Sequence, residues 1–318
     1  MRLRGMVVVL AVIAAAGCAT GAPAPQPLEV SAEAAGWGGM APLADGRYLV
    51  VHDNKSHEAG ARLSAFDPAH DRMHVRPRAV VVQDWGHAEG PANDLEALCR
   101  LDGLDDEFLL MESGRRQGRF GRVFHVRVRG WQAQVLAVLP LPADPVGEPR
   151  ADHEGLACQR RGQGQWRLLI GERGGHAPRA RGSVRLGLYQ AARRQIEWDA
   201  QALPVTVPGP WPAGQRVRDI ADLALEADGT VWAVGAMDPG NAGPFRSTVW
   251  RLGRLDPDAD ALRLEPVPRN HWVLDGLKVE ALALPQPGMS GVQLLVATDD
   301  EDYGGIWRPL APAVSPRE

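Results

Sequence analysis

One hairpin pattern recurs along the whole chain and limits the folds that the chain can adopt. Its clearest copy starts with a short acidic and apolar segment at Asp152–Ala157 and continues, after a turn, with an apolar run that ends at Glu172. Equivalent segments start around Gly38, Glu96, Glu154, Ala221 and Glu280, at steps of 58, 58, 67 and 59 residues. Self-similarity at a nearly fixed long period indicates a repeat architecture.

Each repeat contains four strand-like runs bounded by turn residues. The second repeat has runs at 95–101, 107–112, 122–129 and 134–141, and the third at 154–159, 166–172, 184–190 and 195–203. No segment shows a sustained helical period. The sequence therefore predicts an all-β, five-bladed β-propeller, in which four-stranded blades surround a channel. Six blades remain the alternative count, because the step of 67 leaves room for a longer excursion near 208–215.

The repeat also predicts the domain organisation. No linker rich in Pro, Gly or Ser divides residues 28–318, so they are expected to form a single propeller domain. The fifth repeat ends after Trp307–Leu310 and lacks a fourth strand. The run Leu28–Ser31 is predicted to supply this strand and close the ring, since an open sheet edge is a pairing hazard.

The first 27 residues read as a targeting segment and a tether. Arg2 and Arg4 precede an apolar run that is too short to span a bilayer, and small residues lead to Cys18. Residues 1–17 resemble a bacterial lipoprotein signal, with Cys18 as the lipidated residue and 18–27 as the tether. The expected location is the outer membrane, facing the periplasm, with membrane attachment through the lipid. An ordinary secretory signal with an incidental cysteine is the alternative.

Charge and cysteine content exclude several classes of protein. The formal charge of -4 becomes -6 once the two positive charges of Arg2 and Arg4 are removed, so no net basic field would attract nucleic acid. Besides Cys18, only Cys99 and Cys158 occur, too few for a disulfide scaffold or a cysteine-rich zinc protein. Aligning the repeats places these two on opposite faces of neighbouring innermost strands, where a disulfide between blades is a hypothesis.

Acidic residues mark the start of the innermost strands and the end of the second strands, two positions that meet on one face of a propeller. A hard cation bound by oxygens would relieve their mutual repulsion, and calcium is the expected ion. The candidate metal ligands are Asp94, Glu96, Glu112, Asp152, Glu154, Glu172, Glu280 and Asp299. The alternative is that each acid pairs with an arginine or caps a backbone turn.

Basic residues lie in the loops on the same face. Arginine binds phosphate or carboxylate through two parallel hydrogen bonds, so a metal with an arginine rim suits an anionic small-molecule ligand. The candidate anion-binding residues are Arg115, Arg116, Arg173, His176 and Lys278, with Arg179 and Arg181 following in the same loop as Arg173. These arginines also fit a plain solvated surface.

Several familiar catalytic signatures are absent from the sequence. It contains no nucleophile elbow, Walker loop, H-E-x-x-H pair or dinucleotide-binding glycine motif. His153 is adjacent to Glu154 and points to the other side of the strand. It therefore fits a structural histidine better than a zinc ligand.

The segment Asp152–Ala157 matches the D-x-E-G-L-A motif of bacterial phytase-like propeller domains, known as "esterase-like activity of phytase". The closing run 295–301, followed by Gly304 and Gly305, is similar to the last strand and acidic turn of that family. More distantly, the chain resembles SdiA-regulated-type propellers. The resemblance implies a calcium-binding propeller with phosphoesterase activity.

Two functions follow from these expectations. The first is a metal-dependent phosphoesterase or esterase acting on an anionic substrate, in which the acids hold the cation and the arginines stabilise negative charge. The second is a non-catalytic periplasmic propeller that binds a ligand or protein and keeps the same cation as a structural element. The sequence does not separate them, because neither needs an identifiable nucleophile, and propellers host many functions.

Overall fold

A computed structural model describes residues 36–312 except for 55–59, 72, 74–76, 87–89, 116–120, 144–150, 176–178, 210, 213, 257–258 and 302–303. These residues belong to one compact unit, 31–318. They form twenty β-strands and no α-helix. None of the described segments is a helix long and apolar enough to cross a bilayer. The predicted signal segment, the tether and the closing strand Leu28–Ser31 lie outside the described residues.

The first eight strands form two antiparallel meanders that are joined at their edges. Below, each meander is called a sheet and is numbered in chain order. The first meander is β1 (Gly39–Pro42), β2 (Tyr48–Val51), β3 (Leu63–Phe66) and β4 (Arg78–Val82), and the second is β5 (Leu95–Arg100), β6 (Glu107–Glu112), β7 (Arg122–Arg129) and β8 (Gln132–Pro140). A short parallel pairing of β4 with β8, at Val81 and Val82, joins their outer edges.

The remaining twelve strands form three more antiparallel sheets. The third meander is β9 (His153–Gly162), β10 (Gln165–Glu172), β11 (Gly182–Gln190) and β12 (Gln195–Val205). The fourth is β13 (Val217–Leu225), β14 (Thr230–Met237) and β15 (Arg246–Asp256), with β16 (Ala261–Leu264) and β17 (Asn270–Asp275) both pairing with β15. The fifth is β18 (Val279–Ala283), β19 (Leu294–Thr298) and β20 (Trp307–Leu310).

The innermost strands of the five meanders contact one another in cyclic order. β1 contacts β5, β5 contacts β9, β9 contacts β13, β13 contacts β18, and β18 returns to β1. A cavity of about 90 Å³ lies between them and is lined by residues of all five strands. The buried carboxylate of Asp222 links two of these strands, because its Oδ2 accepts the N–H of Leu282 at 2.7 Å. Sheets around a central channel are the arrangement of a β-propeller.

Alternating side chains fill the spaces between neighbouring sheets, as the period of two residues in a strand requires. In β10, Leu168 and Ile170 pack with Leu109 of β6, whereas Leu169 between them packs with Ile220 and Leu223 of β13. Both faces of β10 are therefore buried, as are both faces of β6 and β14. This explains why the second strands of the meanders are nearly continuous apolar runs.

The strand predictions agree closely with the structure in the second and third repeats. β6 and β7 have the predicted bounds, and the other six strands differ by up to three residues at an end. The fifth meander has only three strands within the described residues. On the outer edge of β20, the N–H of Trp307 donates to the carbonyl of Met73, which lies between β3 and β4.

The disulfide hypothesis is confirmed. Cys99 of β5 is bonded to Cys158 of β9, with the two Cα atoms 5.9 Å apart. The bond therefore links two innermost strands from adjacent sheets, as the alignment of the repeats predicted.

Candidate functional site

Three glutamates occupy the same backbone feature at one mouth of the channel. Each of β5, β9 and β18 has a register shift at its start, and the extra residue is Glu96, Glu154 or Glu280. A β-bulge redirects the side chain of its extra residue and is common next to functional sites. The glycine of the D-x-E-G motif permits close packing here, since a Cβ on Gly155 would lie 2.9 Å from the Leu223 side chain.

Three carboxylates gather where the first and second sheets meet. Asp53, Asp94 and Glu96 each offer one oxygen, and these oxygens lie within 4.8 Å of one another. Asp94 and Glu96 are buried and Asp53 is partly exposed. Asp94 adopts a left-handed backbone conformation, with φ of 59°, and its Oδ2 accepts a hydrogen bond from the Ser113 hydroxyl. This group has the spacing and the oxygen donors that a hard cation requires.

In the third sheet, acids and arginines alternate. Arg115 donates from Nη1 to Oδ2 of Asp152 at 2.7 Å. Arg173 lies next to the same oxygen, at 3.2 Å, and donates to Oε1 of Glu154 at 3.1 Å. Asp152 and Glu154 are therefore paired with arginines, which was the alternative to metal binding considered for these acids.

The alternation continues through the fourth and fifth sheets. Arg218 donates to Glu280 at 2.5 Å and to Asp238 at 2.7 Å, and its Nη1 lies 3.6 Å from Glu154. Lys278 is only 1% exposed. Its ammonium group lies 3.0 Å from Glu280, 3.4 Å from Asp299 and also contacts Glu301. The ion pairs therefore run without a break from Arg115 to Glu301.

Burial and neighbouring charge shift the pKa values of these acids in opposite directions. Burial raises the pKa of Glu154 to about 7, against the opposing charges of Arg173 and Arg218. Burial also raises the pKa of Asp299 to about 7, and the nearby charge of Glu280 adds to the shift. Burial alone would raise the pKa of Glu280, but Lys278 and Arg218 bring it below its ordinary value.

Two of the candidate metal ligands have other partners. Both oxygens of the fully buried Glu112 accept hydrogen bonds from the Arg122 guanidinium, at 2.6 and 3.0 Å, and from backbone N–H groups. Glu172 lies opposite His153 across β9 and β10, and its Oε2 accepts the N–H of Gly174. We therefore leave both residues out of the cation site proposed below.

The candidate anion-binding residues differ in their exposure to solvent. Arg115 keeps a side chain that is 48% exposed, whereas those of Arg173 and Lys278 are 14% and 2% exposed and are surrounded by acids. Arg116, His176 and the lipidation residue Cys18 lie outside the described residues. His153 is buried, and burial lowers its pKa to about 3, in keeping with the structural role expected of it.

Sequence reasoning missed Asp53, Arg218 and Asp238. Asp53 follows β2, which is the end-of-strand position already used for Glu172 and Asp299, so the repeat itself carried the signal. Arg218 was hidden by a longer bulge, since Arg218 pairs with Ala236 but the next paired residue is Asp222. Three residues of β13 lie opposite one residue of β14 there, and a fixed repeat alignment cannot reveal the two extra residues.

Comparisons with known proteins give no close relative. No protein-family model matches the sequence, and no curated protein matches it. Among solved structures, an oxidoreductase (glucose dehydrogenase) from Thermus thermophilus is 14% identical, with a TM-score of 0.41, covering 88% of this chain and 98% of that one. A luciferin-regenerating enzyme is 10% identical, with a TM-score of 0.40 and coverage of 88% and 94%.

A third similar structure is an exo-β-1,3-galactanase from Phanerochaete chrysosporium. It is 12% identical, with a TM-score of 0.37, and the match covers 72% of this chain and 52% of that one. At this level of similarity, the three neighbours say nothing about the substrate of this chain.

Proposed function

We propose that this protein is a calcium-dependent ester hydrolase that acts on an anionic substrate, such as a phosphoester, at the mouth of its channel. The observation that carries this proposal is the convergence of Asp53, Asp94 and Glu96 within 4.8 Å. Arg115 is connected to this group through its backbone, because its main-chain N–H donates to the Ser113 hydroxyl and that hydroxyl donates to Oδ2 of Asp94. The side chain of Arg115 is 48% exposed. Two hydrogen bonds thus join a candidate anion-binding residue to the cation group.

The residues present fit a calcium ion. Calcium takes six to eight oxygen ligands, and three carboxylates supply part of that set while leaving positions for water and substrate oxygens. A bound calcium ion would offset the repulsion among the three acids and polarise an ester oxygen. Asp53, Asp94 and Glu96 would hold it. Arg115 would bind the substrate oxyanion through two parallel hydrogen bonds and stabilise the charge that develops in the reaction.

A second candidate function is non-catalytic binding. The observation that favours it is the unbroken set of ion pairs from Arg115 to Glu301, which uses Asp152, Glu154, Glu280 and Asp299 for internal contacts. A cation at Asp53, Asp94 and Glu96 would then join the first and second sheets, and the loops would hold a ligand or a partner protein without turnover.

The test combines calcium titration with a substrate panel. The melting temperature and the hydrolysis of p-nitrophenyl phosphate and p-nitrophenyl butyrate would be measured in wild type, in Glu96→Gln and in a control, Glu197→Gln, that removes an exposed acid of β12. The hydrolase proposal predicts calcium-dependent turnover that Glu96→Gln and chelation abolish. A calcium-linked rise in melting temperature without turnover favours the binding function. No calcium effect on the wild type contradicts both.

We also propose a five-bladed architecture and a lipid anchor. The cavity lined by five innermost strands supports five blades over the alternative of six. The signal-like segment before Cys18 supports attachment to the outer membrane, facing the periplasm. Metabolic labelling with a fatty acid tests the anchor, and equal labelling of wild type and Cys18→Ser would contradict it.

A further inference from the structure

A second pocket lies between the third and fourth sheets. It has a volume of about 580 Å³ and is lined by described residues that follow β10, precede β11, or lie between the end of β12 and the start of β13. Its lining includes Arg181, Arg216, Trp211 and Gln215, with Thr206, Val207 and Val217 providing apolar surface. Neither the cation group nor Arg115 belongs to this lining.

Three side chains that line this pocket carry hydrogen-bond donors with no acceptor among the described residues. In the part of the chain that the structure describes, the side chains of Arg181 and Arg216 form no ion pair and no hydrogen bond. The indole N–H of Trp211 is buried and also has no hydrogen-bond partner there. A buried donor without an acceptor is destabilising, and buried polar groups without protein partners are rare in folded proteins.

The one acid in the lining, Asp219, does not use these donors. Its Oδ1 accepts the N–H of Val207 at 2.8 Å and its Oδ2 accepts the N–H of Gly182 at 2.7 Å. Burial raises the pKa of Asp219, while those hydrogen bonds and the nearby charge of Arg181 oppose the shift. The charge of Arg181 therefore acts at the pocket, next to a carboxylate whose two oxygens already accept backbone hydrogen bonds.

We propose that this pocket binds the oxyanion of a small organic ligand through Arg181, Arg216 and the indole N–H of Trp211. Guanidinium groups bind phosphonate, phosphate or carboxylate oxygens through paired hydrogen bonds, and the indole N–H supplies a third donor. The apolar lining and the Trp211 ring favour a ligand with a compact apolar group next to its charge. This binding site is separate from the cation site and does not depend on it.

Phenylphosphonate is a suitable probe, because it carries an oxyanion on an aromatic ring and contains no ester to hydrolyse. Its affinity would be measured by titration calorimetry on protein kept in chelator, which removes any calcium contribution. Arg181→Gln and Arg216→Gln are each expected to weaken binding about tenfold or more, as for hydrogen bonds to charged groups. The control, Arg254→Gln, changes an exposed arginine of β15 and should leave the affinity unchanged.

The indole N–H gives an independent readout. The Trp211→Phe variant retains an aromatic ring but removes the donor, and the indole resonance that it deletes from the nitrogen–proton spectrum identifies Trp211. That resonance is expected to shift when phenylphosphonate binds. No shift at saturation, or wild-type affinity in both arginine variants at an unchanged melting temperature, would overturn the proposal.

One comparison separates this pocket from the channel mouth. Glu96→Gln should bind phenylphosphonate as wild type does, whatever its effect on calcium or hydrolysis. If Glu96→Gln changes the affinity and Arg216→Gln does not, the probe binds at the channel mouth. The pocket proposal then fails while the proposed function stands.

Discussion

Arg218 and Lys278 together neutralise the acids of the fourth and fifth sheets. Each cation contacts Glu280, and each also contacts a second acid, Asp238 or Asp299. Removing one partner of a buried ion pair leaves an uncompensated charge, which typically costs about 3–5 kcal/mol. These cations are therefore structural, and they are poor choices for binding an external anion.

Glu172 is expected to make stability depend on pH. Its Oε1 is buried and has no hydrogen-bond partner among the described residues, and burial raises its pKa from an ordinary 4.5 to about 7. Because the pKa of Glu172 is higher in the folded than in the unfolded protein, the protonated carboxyl favours the folded state. This contribution to the free energy of unfolding is fully present below pH 4.5 and is lost as the pH rises through about 7. At pH 8 the ionised carboxylate should cost roughly 3 kcal/mol.

The Glu172→Gln variant is therefore expected to be more stable than wild type at pH 8 and to show a smaller loss of stability between pH 4.5 and 7. Urea unfolding across this range measures both effects. Glu197→Gln, on the exposed face of β12, serves as the control and should follow wild type. Equal pH profiles for Glu172→Gln and wild type would show that Glu172 ionises normally.

At the scale of strands, the disulfide between β5 and β9 is expected to stabilise the channel wall. Its two cysteines are 59 residues apart, and the loop-closure entropy for that length gives about 4 kcal/mol, with 2–4 kcal/mol typical. In urea unfolding, the free energy of unfolding of a double variant, Cys99→Ala with Cys158→Ala, should be about 2–4 kcal/mol lower. Both proteins would carry Cys18→Ser, so that no other cysteine interferes. Two free thiols in the unreduced, unfolded reference protein would contradict the bond.

The same scale shows what the sequence could and could not predict. The hairpin repeat predicted β6 and β7 to the residue, because turn residues bound each apolar run. The repeat also predicted that Glu96, Glu154 and Glu280 are equivalent, and each is the extra residue of a bulge. Register is set by contacts between strands, however. The two-residue insertion after Arg218 and the shared pairing of β16 and β17 with β15 therefore could not be predicted from local sequence.

The sequence predicted where the candidate site lies, but it did not predict which of its acids pair with arginines. Acids at strand starts and strand ends were expected to meet at one face, and Asp94 and Glu96 do meet Asp53 there. Which acid pairs with an arginine depends on the reach of each long side chain across a sheet junction. Arg115 shows this: it follows β6 of the second sheet, and its guanidinium pairs with Asp152, which precedes β9 of the third sheet.

At the scale of the whole molecule, the junction between the first and fifth sheets closes the ring. Phe66 lies at its centre, with its ring 5.1 Å from that of Trp37, 5.6 Å from Tyr48 and 5.2 Å from Trp307. The first two partners are in the first repeat and Trp307 is in the fifth. Loss of a buried phenylalanine side chain costs about 3–5 kcal/mol.

Phe66→Ala is expected to lower the free energy of unfolding of the whole ring by about 3–5 kcal/mol. Each sheet packs against two neighbouring sheets, and opening this junction would leave the first and fifth sheets with one neighbour each. Native-state hydrogen exchange should then show faster exchange in β9 and β10, on the far side of the ring, as well as in β1 and β18. Trp131→Ala is the control: Trp131 packs between Arg47 and Arg78, with both guanidinium carbons 4.2 Å from its ring, and its loss should cost about 1–2 kcal/mol. If Phe66→Ala speeds exchange only in the first and fifth sheets, the sheets unfold independently and the ring is not a cooperative unit.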